Sequence, residues 1–147
     1  MGFTYRVRSD KDTNFTGAVS SAQGTLVERE DLTGLNQNKV RVKQITIQSE
    51  QHLGWGIAFW SNDDVAVNPL DLDSDKLCGL KTFAVSDGVR MNTRFVYSAS
   101  VDIPYVDEDE SKELHVALYN TASTPKLATH SGDFAVTFEL EDQVGYN

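Results

Sequence analysis

The stretch RFVYSASVDIPYV, residues 94–106, places Phe95, Tyr97, Ala99, Val101 and Ile103 on one side of an extended chain. Val96, Ser98, Ser100 and Asp102 fall on the other. Alternation of period two sustained over this length marks a long strand with one face buried and one in water. DFAVTFELED repeats the pattern, with Phe134, Val136, Phe138 and Leu140 inward and Thr137, Glu139 and Glu141 outward. ELHVALYN repeats it through Leu114, Val116 and Leu118, which leaves His115 in the outward phase. Three strands therefore fill the C-terminal half.

Upstream, KVRVKQITIQ (39–48) has Val40 and Val42 in one phase and Ile45 and Ile47 in the other. A β-bulge at Lys43-Gln44 restores a single inward face. GWGIAFWS (54–61) alternates Trp55, Ile57 and Phe59 with Ala58 and Trp60, so both faces are covered, as in a central strand. Shorter candidates are FTYRVRS (3–9), GTLVER (24–29) and KTFAVS (81–86). Turns fall at Gly34-Leu35-Asn36, Asn62-Asp63-Asp64, Ser86-Asp87-Gly88 and Ser131-Gly132-Asp133. No segment of helical length carries apolar residues at i, i+3 and i+4.

These elements predict an all-β fold, an antiparallel β-sandwich, because a half-buried sheet must set its apolar face against another. About eight strands with irregular connections at 62–80 and 105–112 suit a jelly roll better than a meander. A chain of 147 residues, 39% of them apolar, builds one core, so residues 1–147 form a single domain. DKDTNFTGAVSSAQ (10–23) is the least patterned part. Residues 1–23 are accordingly read as an extended N-terminal docking segment.

The N-terminal stretch lacks the apolar run of a signal peptide, and no run of apolar residues is long enough to span a membrane. With Cys78 the one cysteine, no intrachain disulfide forms and the fold does not need an oxidising compartment. The formal net charge of −9 argues against nucleic acid as a partner. Charge is also unevenly distributed: residues 1–50 carry seven Lys and Arg against six Asp and Glu, and residues 51–147 carry six against sixteen.

NPLDLDSDKLCG (68–79) spaces Asp71, Asp73 and Asp75 as a calcium loop would. An EF-hand loop starting at Asp71 needs Gly and Glu where this chain has Lys76 and Thr82, so that reading fails. A looser sandwich-type calcium site on Asp71, Asp73 and Asp75 is set against a solvated turn, which Lys76 favours. DEDESKE (107–113) reads as a hydrated hairpin loop. Lys39, Arg41 and Lys43 alternate along one strand, and Arg6 and Arg8 along another, which aligns each set outward as a basic ridge for an acidic partner. Trp60 and Tyr119 lie in the phase opposite their aliphatic neighbours and are the candidate exposed rings of a sugar-stacking platform.

The inventory for catalysis is poor. His52, His115 and His130 lie far apart, without the close spacing that places two metal ligands together. Cys78 has no partner base in any motif and reads as a structural thiol. No nucleophile elbow, phosphate loop or dinucleotide fingerprint occurs, so no enzyme activity, cofactor or metal is expected.

A disulfide-free, acidic, all-β chain with strands such as RFVYSASVDIPYV and DFAVTFELED and a poorly patterned N-terminal segment resembles the small jelly-roll decoration, or cement, proteins of tailed bacteriophages. The resemblance covers the whole chain in outline. It implies a protein made in the host cytoplasm that joins the virion as a homotrimer on the capsid exterior, bridging copies of the major capsid protein. Residues 1–23, with Arg6 and Arg8, are then the expected docking surface, supported by Lys39, Arg41 and Lys43. The competing reading is a carbohydrate-binding jelly-roll module using Trp60 and Tyr119, stabilised by calcium on Asp71, Asp73 and Asp75. A small hydrolase or isomerase would instead require a cluster among His52, His115, His130 and the acids.

Overall fold

A computed structural model describes residues 4–9, 18–19, 29–63, 72–122, 124, 126–129 and 133–143. The strands are β1 (Thr4–Arg8), β2 (Ala18–Val19), β3 (Arg29–Thr33), β4 (Lys39–Ser49), β5 (Trp55–Trp60), β6 (Leu77–Phe83), β7 (Val89–Met91), β8 (Arg94–Val106), β9 (Glu113–Asn120), β10 (Lys126–Leu127) and β11 (Ala135–Asp142). A single turn of 3-10 helix, Val85–Asp87, joins β6 to β7. One sheet has the order β1-β11-β4-β8-β7, a second has β3-β9-β5-β6, and β2 and β10 make a short ladder. Every pairing is antiparallel.

Set aside the three shortest strands, and the rest read in chain order as first-eighth-third-sixth in one sheet and second-seventh-fourth-fifth in the other. That order is a jelly roll, two Greek keys wound around one core. The core lies between the sheets, where every inward residue anticipated on β8, β9 and β11 is buried or packs against the buried cluster. Trp55 meets Phe134 edge-on with centroids 5.2 Å apart, and Phe59 meets Phe138 at 5.3 Å. These T-shaped contacts join the central strand of one sheet to the other sheet.

The bulge in β4 is where the phase slip places it. Against β11, Gln44 pairs with Glu139 and Val42 with Leu140, so Lys43 is the unpaired residue. Val40, Val42, Ile45 and Ile47 are all fully buried as a result. β5, flanked by β9 and β6, is buried at all six positions, as its two covered faces require. Gly34, after β3, has φ +110°, a conformation that a side chain would strain.

Several expectations are corrected. Of the segment anticipated at 24–29, residues 24–28 lie outside the described residues, and a strand runs from Arg29 to Thr33; that anticipated at 81–86 is the end of β6, which starts earlier, at Leu77. Within the segment read as residues 1–23, the strand anticipated at 3–9 is present as Thr4–Arg8, which pairs along its length with β11 and buries Val7. Residues 1–3, 10–17 and 20–23 of that segment lie outside the described residues.

The outer face of the second sheet overturns the exposed-aromatic reading. Trp60 and Tyr119 are 0% and 2% exposed, in a second small core with Ala58 and Ala117 against which Leu72 and Leu77 pack. The period-two phase correctly turns both rings away from the main core, but this face of the sheet is itself covered. A Cβ at Gly56 would lie 2.0 Å from the Tyr119 ring, which therefore occupies the space over the glycine. Replacing Gly56 with Ala should cost about 1–3 kcal/mol by overpacking. Urea unfolding should show a lower midpoint with an unchanged slope; an unchanged midpoint would mean that the Tyr119 ring lies elsewhere.

Candidate functional site

The most concentrated polar chemistry among the described residues lies where the β8–β9 loop meets the outer face of β9. His115 is 1% exposed, and its strand neighbours are Asp31 on β3 and Trp60 on β5. Its Nδ1 lies 2.7 Å from Oδ1 of Asp31, its Nε2 3.0 Å from Oδ1 of Asp107. The same Nε2 is 3.3 Å from Oδ2 of Asp109. Ionised carboxylate oxygens only accept, so both contacts are satisfied together when the metal-free ring carries a proton on each nitrogen. Burial alone would lower the His115 pKa, but the carboxylates of Asp31 and Asp107 outweigh it and the net shift is upward.

Asp107 is as deeply buried, and its carboxylate organises the loop. Oδ1 accepts the backbone N–H of Asp109 at 3.0 Å. Oδ2 accepts the amides of Ser111 and Glu113, each at 3.0 Å, and the Ser111 hydroxyl at 2.7 Å. Burial would raise its pKa, yet the Glu113 amide, the Ser111 hydroxyl and His115 hold it below the usual Asp range. Glu110 and Lys112 adopt positive φ, 55° and 56°, in the same loop. Such backbone in non-glycine residues costs of order 1 kcal/mol each and persists where surrounding contacts over-determine it. Here the convergence of three amides on one carboxylate does so.

The loop is anchored outward as well. The Asp107 N–H donates to the Asn38 carbonyl at 2.8 Å, the Glu108 N–H to Ser61 at 2.7 Å, and the Ser61 hydroxyl donates to the Glu108 carboxylate. The segment DEDESKE is therefore a folded loop around a buried carboxylate, and the hydrated-hairpin reading holds only for its exposed residues 108–112. The atoms of Asp107, Asp109 and His115 able to bind a metal lie within 4.8 Å of one another. With a proton on each nitrogen the metal-free ring has no lone pair to accept another, so in that state His115 is not a general base.

Among the other candidates, Asp73 and Asp75 are exposed, and Asp71 lies outside the described residues. His52 stacks on Phe95 at 4.3 Å and contacts the Val85 carbonyl; His130 lies outside the described residues. Cys78 is half-buried against the core, and burial pushes its thiol pKa up, as befits a structural thiol. Arg41 and Lys43 converge on Asp102 of β8 at 3.1 and 3.4 Å, and Arg6 reaches Glu139 at 4.0 Å. Arg8 and Lys39 are exposed. The basic residues therefore sit in a face of mixed charge, interleaved with carboxylates of the adjacent strands, not on a continuous basic ridge.

A second buried carboxylate works at the opposite end of β4. Oδ1 of Asp133 accepts the Ser49 hydroxyl at 3.0 Å and the Glu50 amide at 2.8 Å. Oδ2 accepts the Gln51 side chain and the Thr129 amide, each at 2.9 Å. The Asp133 carbonyl takes Arg94 Nη2 at 2.8 Å. Among the described residues no helix is long and apolar enough to cross a membrane. No family profile matches the chain, and no curated protein or solved structure matches it.

Burial would raise the Asp133 pKa, but the Thr129 amide, Gln51, the Glu50 amide and Ser49 hold it below the ordinary 3.8. A carboxyl with a depressed folded-state pKa stabilises fully above its unfolded value, and that contribution is lost as pH falls through the folded-state pKa. Asp133→Asn should therefore cost roughly 2 kcal/mol at neutral pH, where a buried charge-assisted network is broken. Its deficit should shrink as denaturation is repeated at pH values falling below the Asp range. A deficit independent of pH would remove the carboxylate from this role.

Proposed function

We propose that this chain is a structural binding protein, a capsid decoration protein that attaches to the exterior of a phage head and works there as a homotrimer. The supporting observation is the distribution of exposed apolar side chains. Four of the five exposed large apolar side chains among the described residues, Leu80, Val85, Val89 and Met91, belong to the continuous segment from β6 through β7; the fifth, Leu127, lies on β10. β6 and β7 are edge strands of the two sheets, so this segment crosses one flank of the sandwich. Exposed apolar residues gathered on one flank, beside strand edges that have no neighbour among the described residues, favour a protein partner. In a closed ring of three, that flank would meet a different surface of the next copy.

The mixed-charge face carrying Arg6, Arg8, Lys39, Arg41 and Lys43 is broad and polar, and suits a hydrated contact with a capsid surface. The glycan-binding alternative loses its residues, because Trp60 and Tyr119 are buried.

The test combines light scattering with co-sedimentation on mature heads stripped of decoration. Wild type should sediment with the heads as trimers. The double variant Val89→Glu, Met91→Glu alters only exposed side chains; it should fold normally and lose trimer formation together with at least about tenfold in head binding. Wild type that ignores the heads, or a double variant that retains both properties, would overturn the reading.

A further inference from the structure

We propose that Asp107, Asp109 and His115 form a binding site for one divalent transition-metal ion, with Asp31 as the carboxylate behind the ligating imidazole. Asp31 takes Nδ1 at 2.7 Å, which turns Nε2 toward the two other carboxylates. A carboxylate on the far nitrogen is the usual support of a metal-binding histidine, fixing its ring orientation and tautomer. Nε2 then faces two acceptor oxygens at once, at 3.0 and 3.3 Å. A single proton on Nε2 lies along one line and serves two acceptors poorly. An ion set between them contacts all three atoms.

The two separations from Nε2 agree with that, and the third lies within 4.8 Å. Metal bonds of about 2.0–2.2 Å in tetrahedral or octahedral arrangement hold neighbouring ligand atoms roughly 3–3.5 Å apart. Two of the three ligands are also buried, the Asp107 side chain at 0% and the His115 side chain at 1% exposure, unlike a chance cluster of surface acids. Asp107 is already oriented through its other oxygen by the amides of Ser111 and Glu113. Asp109, with its side chain 39% exposed, supplies the way in and leaves further positions to water. One imidazole nitrogen with two carboxylate oxygens suits Zn²⁺, Co²⁺ or Mn²⁺ better than Ca²⁺ or Mg²⁺, which favour oxygen alone.

The probes are Zn²⁺ and Co²⁺, titrated by calorimetry into metal-stripped full-length protein, with the visible spectrum of the Co²⁺ form as a second readout. One ion per chain should bind. Asp109→Asn, at an exposed side chain, should keep the wild-type circular dichroism and weaken binding by at least about tenfold, and Asp31→Asn should weaken it about 10–100-fold through the ring. Failure to bind one ion per chain would overturn the proposal and leave the cluster a proton-held ion pair. Binding that Asp109→Asn does not diminish, or a Co²⁺ spectrum unchanged from the free ion, would overturn it equally.

Discussion

One charge cluster, His115 held between the buried carboxylate of Asp107 and the surface carboxylate of Asp31, governs much of the second sheet. Burying such charges is costly, and partners must face each other with good geometry to offset it. The fold provides this by drawing the backbone amides of Asp109, Ser111 and Glu113 around Asp107. The loop so formed enters β9, and β9 carries both β3 and β5 beside it. Removing one partner of a buried pair typically costs 3–5 kcal/mol, because the remaining charge is left without compensation. Asp133 does comparable work at the far end of β4 by collecting hydroxyl, amide and carboxamide donors. With a single cysteine, the chain has no intrachain disulfide. Polar hubs at the two ends of β4 and an aromatic core between the sheets hold the jelly roll closed.

The sandwich was legible because a strand buried on one face writes its burial into alternate residues. That rule located the inward sets of β8, β9 and β11, and its one interruption in β4 located the bulge at Lys43. It could not tell whether the outward face of a strand meets water or a further layer. Trp60 and Tyr119 were misread on this account: their phase is outward, and Leu72 and Leu77 pack against the cluster they form. His115 does lie in the outward phase, but its burial among carboxylates was not legible there. Its partners Asp31 and Asp107 are 84 and 8 residues away, so no local spacing announces the cluster. The usable hints were slight: a histidine between Leu114 and Val116 in an otherwise apolar strand, and an acidic run starting directly at the end of a long strand.

For function, the arrangement separates rigidity from contact. The ionic cluster and the core fix the two sheets, while the exposed apolar residues of the β6–β7 flank and the charged face of β1 and β4 remain available on that frame. Arg41 and Lys43 share Asp102, and Arg6 meets Glu139, so this face offers charge of both signs to a partner. Screened, exposed pairs of this kind contribute little stability and serve specificity and approach better. A protein that must stay folded while pulled between neighbours has use for such a division.

The protonation of His115 tests this account most directly. Nitrogen-15 labelled, metal-free protein should be examined near neutral pH by proton–nitrogen correlation of the histidine rings, with His115→Gln to assign the signals. The account predicts a proton on both nitrogens of the His115 ring. A neutral ring with a bare nitrogen would contradict it, since one of the two contacts would then set acceptor against acceptor.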